Sequence, residues 1–330
     1  MIKVRDMKKS ELAFAKSLTD AEDWGNSKED WVRLFRISIP LVAVDGDNLA
    51  GITTAFDYGV IGMIGNVVVS RESRGKGVGQ ELIKEAMTRL ESCKSVRVHS
   101  RMEVTSFYKD LGFLAEGMST QFRLDANMKS FQPFDIDSET NIVPAEGYWD
   151  EILAMDLRQF VGDRSQFLKE INDYLPQCSF VALGEDGSVK GFIMAKGEDS
   201  WYEIGPWIVE SGCKNWQGLL QASVQAIPDN STVEIFVPAP NFRVTSLLDS
   251  VGYSAHSYCM SMFYGEDWPD EANIFARGGG DKGLNYSIPR LGKKRILPLI
   301  PRNWGCISAV PRFIRTLIWV MLNPTSHSIS

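Results

Sequence analysis

The sequence predicts an α/β (α+β) fold in which one order of strands and helices occurs twice. Two observations predict it. Apolar runs of strand length alternate with stretches of helical period, and the same order restarts after residue 138. The length supports a duplication, because 330 residues exceed what one hydrophobic core usually stabilises.

The first half opens with the strand-like run MIKVRDM and a polar helical stretch, KKSELAFAKSLTDAEDW. Ser27, with Asp30 three residues later, can cap a second helix that runs through DWVRLF. Two β-rich runs then flank Asp45–Gly46–Asp47, which predicts a hairpin. The next run, MIGNVVVS, is apolar enough for a central strand.

The stretch after residue 77 is predicted to be an amphipathic helix, because its apolar residues recur at helical spacing. They are Val78, Leu82, Ile83, Ala86, Met87 and Leu90. The strand SVRVHS, a short helix ending at LGF, and the closing strands FLAEG and STQFRL complete the first half.

The second half repeats this order with a helix (YWDEILAMDLRQF), a hairpin around Glu185–Asp186–Gly187, the strand YEIGPWIVE and the helix NWQGLLQASVQAI. A further strand, a short helix and the strand-like run SYCMSMFYG follow. The predicted domains are therefore residues 1–128 and 139–268, joined by a polar linker at 129–138. Residues 269–330 are predicted to be a basic, proline-containing tail of poor order.

Composition restricts the class of protein. The net charge is −7, and the first 283 residues are more acidic than the whole, which argues against a nucleic-acid partner. The five cysteines never occur as CxxC and the three histidines are dispersed, so neither a disulfide framework nor a metal site is expected. The sequence contains no apolar segment of signal-peptide or membrane-spanning type, and we expect a cytoplasmic protein.

The stretch SRESRGKGVGQEL, residues 70–82, lies between the apolar run and the amphipathic helix. The first turn of a helix has unpaired N–H groups and the positive end of the helix dipole, both suited to an anion. Glycines allow the backbone to approach phosphate oxygens closely, and Arg74 and Lys76 add positive charge. We interpret the stretch as a pyrophosphate-binding loop, and the alternative is a charged surface turn. It is not a P-loop, because GxxxxGK[ST] is absent, and its glycine spacing differs from the dinucleotide fingerprint.

With Arg74, Gly77 and Gly79, the stretch resembles the acyl-CoA loop of the GNAT N-acetyltransferase superfamily, whose signature is [Q/R]xxGx[G/A] after a strand. Further along, SFYKDLGF resembles the family's YxxxGF ending and contains Tyr108. The resemblance implies two tandem GNAT folds, each a mixed, largely antiparallel twisted sheet flanked by helices. Arg101 stands where the family often has Asn, as a ligand for a CoA phosphate or a substrate carboxylate, or as a solvated side chain.

The resemblance also implies roles for these residues. Acetyl-CoA is the expected co-substrate, with no metal. Tyr108 is the expected acid that protonates the departing thiolate, or alternatively a packed aromatic side chain. A backbone N–H near Val69 is expected to meet the oxygen that develops charge. The residues expected to bind the coenzyme are Val67, Val69, Arg74, Gly75, Lys76, Gly77, Val78, Gly79 and Gln80.

The second half lacks the same residues. With Val209 aligned on Val69, Lys214 replaces Arg74, and other residues replace the two glycines and the tyrosine. They are Gln217 for Gly77, Leu219 for Gly79, and Leu248 for Tyr108. We interpret this half as a degenerate GNAT domain that forms the substrate cleft. The arrangement resembles the tandem-GNAT YitH-like group.

Two segments that resemble motifs of that group provide acceptor-site candidates. In FVGDR, Asp163 and Arg164 are either a substrate clamp or a helix-starting aspartate with an ion-paired arginine. In AEDWGNSKEDW, Trp24 and Asn26 either line the acceptor pocket or pack in the core. Candidates for the general base are Asp57, Glu103 and His99, by their position near the strands that flank the cleft.

The predicted function is transfer of an acetyl or short acyl group from acyl-CoA to a primary amine, by direct attack in a ternary complex. The alternative is a non-catalytic acyl-CoA sensor. The acceptor is a small molecule or a protein amine, and the oligomeric state stays open. The segment from residue 284 is a disordered extension, a helix on an anionic membrane surface, or sequence outside the natural reading frame.

Overall fold

The structure is a computed structural model that describes residues 1–22, 24, 26–126, 141–238, 241–267 and 273–278. The first half contributes the strands β1 (Ile2–Asp6), β2 (Ile39–Asp45), β3 (Asn48–Asp57), β4 (Ile61–Val69), β5 (Ser95–Arg101) and β6 (Leu114–Leu124). The second half contributes β7 (Ile142–Pro144), β8 (Phe180–Leu183), β9 (Val189–Glu198), β10 (Trp201–Val209), β11 (Thr232–Val237), β12 (Ser254–Gly265) and β13 (Ile274–Ala276).

Each half also contributes helices. Those of the first half are α1 (Leu12–Ala21), α2 (Lys28–Ile37), α3 (Val78–Arg89) and α4 (Thr105–Asp110). Those of the second half are α5 (Trp149–Phe160), α6 (Ser165–Tyr174), α7 (Trp216–Ala226) and α8 (Phe242–Ser250). Short 3-10 turns lie at Lys9–Glu11, Arg71–Ser73, Met102–Val104 and Pro176–Cys178.

Local sequence explains several of these elements. Helix α2 begins with the predicted capping pair: the Asp30 amide donates to Ser27 Oγ, and the Ser27 amide donates to the Asp30 carboxylate. Gly46 takes a left-handed φ of +62° in the predicted hairpin between β2 and β3. The predicted apolar stripe of α3 is buried against the sheet. These three predictions are confirmed.

All thirteen strands of the described residues form one sheet. Its order is β1-β2-β3-β4-β5-β12-β6-β11-β10-β9-β8-β7, and β13 pairs with β10. Only the pairs β4–β5 and β10–β11 are parallel among the strand pairs of this described part. The predicted fold class, a mixed and largely antiparallel sheet flanked by helices, is confirmed.

Each half inserts one strand among the strands of the other half. Strand β12 of the second half pairs with β5, with Ser261 opposite His99. Strand β6 of the first half pairs with β11, from Leu124 opposite Val233 to Thr120 opposite Val237. Each half of the sheet therefore contains a strand from the other half. Residues 1–128 alone do not form the first half of the sheet.

Helices from both halves also share one face of the sheet. Trp31 and Leu34 of α2 belong to the same buried apolar cluster as Ile152 of α5 and Phe167 of α6. At the surface of this contact, the Arg36 guanidinium lies 2.7 Å from the Glu170 carboxylate. The described residues accordingly belong to one compact unit.

Two of the predicted boundaries fall on residues outside the described part. The linker at 129–138 lies there, and so does the tail from residue 279 onward. The predicted start of the tail at residue 269 is too early, because Ile274–Ala276 form β13 and are buried. The run IFA is too short for strand periodicity to show it in the sequence.

Candidate functional site

The site begins where β4 and β5 separate. Their parallel pairing runs from Ile61 opposite Ser95 to Ile64 opposite Val98 and then stops. At the same level β4 has an extra residue relative to β3, so its register shifts. The bulge contains Asn66, whose φ is +51° and whose Nδ2 donates to Thr54 Oγ1 at 3.0 Å. The separation leaves a cleft between the two strands.

The backbone of Val69 faces this cleft. The Ser70 amide donates to the Ala50 carbonyl at 2.9 Å, and along an antiparallel strand the backbone groups of successive residues point to opposite sides. The N–H and C=O of Val69 therefore point away from β3. Arg74 supports this direction, because its Nε donates to the Val69 carbonyl at 3.2 Å.

The loop before α3 has the backbone that its sequence predicts. Gly75 has a φ of +76° and Gly77, the N-cap of α3, a φ of +82°, both in the left-handed region that glycine tolerates. The first intrahelical bond is donated by the Glu81 amide. Within the described residues, none of the six backbone amides from Gly75 to Gln80 donates to a protein acceptor. They form a cluster of donors at a helix N-terminus.

An open space lies in front of these amides. A Cβ added to Gly79 would lie 3.3 Å from Cζ of Phe107 and would enter this space, whereas one added to Gly75 would meet nothing within 4 Å. The cavity here measures about 600 Å³. It is lined by Val67, Val69, Ser73, Arg74, Gly75, Gly77, Val78, Gly79, Gln80, Val104, Phe107 and Tyr108. We call it the donor cavity.

Of the predicted coenzyme residues, all except Lys76 line the donor cavity. Lys76 is exposed on the loop. Val78 is buried against the sheet, where it packs with Leu82 and Ala43, so its side chain serves the core as well. Eight of the nine residues predicted to bind the coenzyme therefore surround one cavity, and their role in binding stays a prediction.

A second cavity, of about 300 Å³, adjoins the donor cavity and shares five lining residues with it. It is lined by Glu22, Trp24, Ile64, Gly65, Asn66, Val67, Val68, Val69, Arg74, His99, Arg101, Val104 and Tyr108. We call it the acceptor cavity. Sequence reasoning missed Glu22 and Asn66. The one hint for Asn66 was a polar residue, tolerant of left-handed φ, inside an apolar strand.

Tyr108 lies between the two cavities and lines both. It projects from the short helix α4 and packs edge-on against Phe107 and Phe113, with ring centroids 5.1 and 5.8 Å away. Its side chain is 7% exposed. Burial raises the pKa of the Tyr108 phenol above its usual range, because phenolate is poorly solvated there. The phenol is therefore protonated at any physiological pH.

The predicted acceptor residues divide into two groups. Trp24 lines the acceptor cavity, and Asn26 is buried beside it without lining it. Arg164 is not a substrate clamp. Its guanidinium is fully buried and donates two hydrogen bonds of 2.8 Å to the Asp156 carboxylate, because a buried charge must be paired. Asp163 accepts from the Ser165 amide at 3.0 Å at the start of α6, and neither residue lines either cavity.

The structure also distinguishes the three candidate bases by their position relative to the acceptor cavity. Asp57 lies at the far end of β3 and accepts from the Gly59 amide at 2.8 Å. Glu103 is 76% exposed and lies 3.9 Å from Arg101. His99 alone of the three lines the acceptor cavity. Its Nδ1 lies 3.1 Å from Oγ of Ser261, a residue that the second half supplies on β12.

The second half has an equivalent separation of strands, but it is filled. Strands β10 and β11 part after Ile204 opposite Ile235, as β4 and β5 do. Strand β13 pairs with β10 at this point, and the Arg277 amide donates to the Phe236 carbonyl at 3.3 Å. Phe275 of β13 packs against Trp207 and Trp216, with ring centroids 5.2 and 5.1 Å away.

Two of the replacing residues, those at the positions of Gly79 and Tyr108, are also packed in the core, whereas Gln217 is half-buried. Leu219 and Leu248 are fully buried, and Lys214 pairs at the surface with Glu185 at 3.2 Å. Close packing of β13 on the backbone of Gly205 completes the closure: a Cβ on Gly205 would lie 2.5 Å from the Gly278 nitrogen. Among the described residues, β13 thus occupies the second cleft at the place where the first cleft opens onto the donor cavity.

Comparisons with known proteins agree with this geometry. Two models described as acetyltransferase (GNAT) domains match the chain, over residues 37–124 and 152–276. The chain belongs to the GNAT acetyltransferase family. Its two GNAT domains lie in tandem, so the predicted family and repeat are confirmed.

Three relatives of this GNAT chain illustrate the likeness. The uncharacterized N-acetyltransferase YitH of Bacillus subtilis is 26% identical over 170 residues, which are 51% of this chain and 58% of that protein. A candidate acetyltransferase from Pyrococcus horikoshii has the same fold, with a TM-score of 0.65, 20% identity, and coverage of 84% and 96% of the two chains. A tandem GNAT protein from the clavulanic acid biosynthesis pathway has a TM-score of 0.60 and 12% identity, with coverage of 82% and 100%.

Two kinds of feature are absent from the described residues. No helix in this part of the chain is long and apolar enough to cross a membrane. No group of three or more His, Cys, Asp and Glu side chains in the same residues is arranged to hold a metal ion.

Proposed function

We propose that this GNAT protein transfers an acetyl or short acyl group from acyl-CoA to a primary amine, by direct attack while both substrates are bound. The observation that carries the proposal is the cluster of backbone amides from Gly75 to Gln80, which opens onto the donor cavity. A pyrophosphate is the kind of anion that such a helix start binds. The filled cleft of the second half supports binding to the first half alone.

The donor cavity supports the rest of the binding mode. Bound there, acyl-CoA supplies an acyl carbon that is already activated toward amines. The Val69 amide points into the cleft, where it can donate to an oxygen that gains negative charge during transfer. Orientation of the acceptor then provides much of the rate, since two bound reactants meet as if in one molecule.

Two side chains that line the cavities can transfer the protons that the reaction requires. Tyr108 is buried, protonated and common to both cavities, so it can give its proton to the departing sulfur. His99 is the candidate base that lines the acceptor cavity, and the contact with Ser261 orients its ring. The second half therefore has a proposed role in the reaction: its strand β12 completes the acceptor side of the site.

An acceptor cavity of about 300 Å³ favours a small amine, or the side chain of a protein lysine, over a bulky acceptor. A small-molecule or protein amine is the proposed partner, with no nucleic acid, and cytoplasm is the proposed location. Arg101, at the edge of this cavity, is available to an anionic group on either substrate.

The experiment that tests the proposal is thiol release from acetyl-CoA with a panel of primary amines: amino acids, polyamines and a lysine-containing peptide. We expect release that depends on the amine, because no covalent enzyme intermediate is required. The protein without amine is the control and should release no thiol above the buffer rate. Binding of acetyl-CoA with no thiol release for any amine would contradict transfer and identify an acyl-CoA sensor instead.

A further inference from the structure

One ion pair connects the two cavities of the site. Arg74 is the charged residue that lines both the donor and the acceptor cavity, whereas Glu22 lines the acceptor cavity only. The Arg74 Nη2 donates to Glu22 Oε1 at 2.5 Å. The partners are 52 residues apart in sequence, and Glu22 follows the last residue of α1, so the pair links the end of α1 to the loop before α3.

Arg74 is the side chain that balances the negative charge of Glu22. Among the described residues, Arg74 is the cation with which Glu22 forms an ion pair. The Arg74 side chain is 49% exposed and belongs to a loop whose amides face the donor cavity. A guanidinium at that position can turn to a phosphate group, which it binds with two parallel hydrogen bonds. The Glu22 carboxylate would then lie in the acceptor cavity beside Trp24 without its cation.

We propose that Glu22 and Arg74 couple the two substrates of this protein. Acyl-CoA draws Arg74 toward its phosphates, and the Glu22 carboxylate that is left in the acceptor cavity binds the ammonium group of the acceptor. This inference rests on the proposed function and specifies it: the acceptor enters in its cationic form. Because such coupling is reciprocal, a bound cationic amine also strengthens acyl-CoA binding.

A double-mutant cycle on acetyl-CoA binding tests the coupling without knowledge of the acceptor. Isothermal calorimetry would measure the Kd of acetyl-CoA for the full chain, for Glu22→Gln, for Arg74→Gln and for the double variant. Glu22→Gln is expected to tighten binding about two- to five-fold, the range for a part-exposed ion pair, since Arg74 is then released to the donor. In the Arg74→Gln background the same change is expected to have no effect.

The matched control is Glu72→Gln. Glu72 is exposed, lies two residues before Arg74, and forms no ion pair in the described part of the chain. This variant removes the same charge near the donor cavity and should leave the Kd unchanged. Equal tightening by Glu72→Gln, equal tightening by Glu22→Gln in both backgrounds, or no tightening at all would overturn the coupling. Failure of the wild-type chain to bind acetyl-CoA would instead refute the proposed function.

The acceptor side gives a second readout. For an amine that the wild-type protein acetylates, Glu22→Gln is expected to raise the KM of the amine about tenfold, the effect of losing a charge-assisted hydrogen bond. The kcat should change much less, because Tyr108 and the Val69 amide are untouched. An unchanged KM with a reduced kcat would show that Glu22 does not bind the acceptor.

Discussion

Replacing Tyr108 by phenylalanine is expected to lower kcat by about 10²- to 10⁴-fold, the usual worth of a positioned general acid. The ring and its contacts with Phe107 and Phe113 remain, so the fold and the Kd of acetyl-CoA should not change. The measurement is the initial rate at saturating acetyl-CoA with an amine that the wild-type protein consumes, together with calorimetry of acetyl-CoA binding.

The control for this variant is Tyr264→Phe. Tyr264 also contacts Phe113, at 5.8 Å between centroids, but is 45% exposed and lies outside both cavities. It should retain the wild-type rate. An unchanged kcat for Tyr108→Phe would remove the acid role and leave Tyr108 as a packed aromatic residue.

The pH dependence of the rate follows from the same burial. The pKa of the Tyr108 phenol is raised because the phenolate is disfavoured, so the acid stays protonated beyond its ordinary value of about 10. Loss of this acid should therefore cause no fall in kcat between pH 7 and pH 10. A decline centred well below pH 10 that disappears in Tyr108→Phe would show that the environment of the bound state lowers this pKa instead.

Gly79 corresponds to Leu219 of the second half. Replacing Gly79 by leucine is expected to close the donor cavity. In Gly79→Leu the new side chain points between Phe107 and Val69, since the added Cβ lies 3.3 and 3.8 Å from their nearest atoms. Filling an existing space forces its occupant to move, at about 1–3 kcal/mol, so the Kd of acetyl-CoA should rise about 5- to 150-fold. Calorimetry measures it.

Lys84→Leu serves as the comparison, because it adds the same side chain to an exposed position of α3 that lies outside both cavities. This variant should bind acetyl-CoA as the wild type does, and both variants should melt close to the wild-type temperature. Wild-type affinity in Gly79→Leu would show that the donor does not pass over the start of α3.

The sequence predicts those features of the site that depend on residues close together in the chain. The loop from Arg74 to Gln80 has its glycines where the backbone needs left-handed φ, and both facts can be read from neighbouring residues. Helix α2 carries its capping pair within four residues, and α3 its apolar stripe within thirteen. Tyr108 follows from the family resemblance of a single short motif.

The part that the sequence does not predict depends on distant pairing. His99 and Ser261 are 162 residues apart, and they meet because β12 inserts beside β5. The alternation of apolar residues in a strand shows that it pairs, but it does not show with which half. Glu22 and Arg74 meet for a similar reason, because α1 packs against β3 and β4.

The structure favours one of the two alternatives for FVGDR, a helix-starting aspartate with an ion-paired arginine, and the reason is physical. FVGDR contains two charged residues, and charged residues in a turn are usually solvated. Arg164 instead pairs with Asp156, which lies eight residues earlier on the buried side of α5. The planar guanidinium satisfies both carboxylate oxygens, so the pair tolerates full burial. The resemblance to a family segment thus identified a structural ion pair and not a ligand contact.

The most direct test of coenzyme binding by the first half alone is a crystal structure of the full chain soaked with acetyl-CoA. We predict one coenzyme per chain, with its pyrophosphate on the backbone amides between Gly75 and Gln80 and its sulfur near Tyr108. Strand β13 should remain paired with β10. Coenzyme bound in the second cleft with β13 displaced, or coenzyme absent from the donor cavity at saturation, would contradict it.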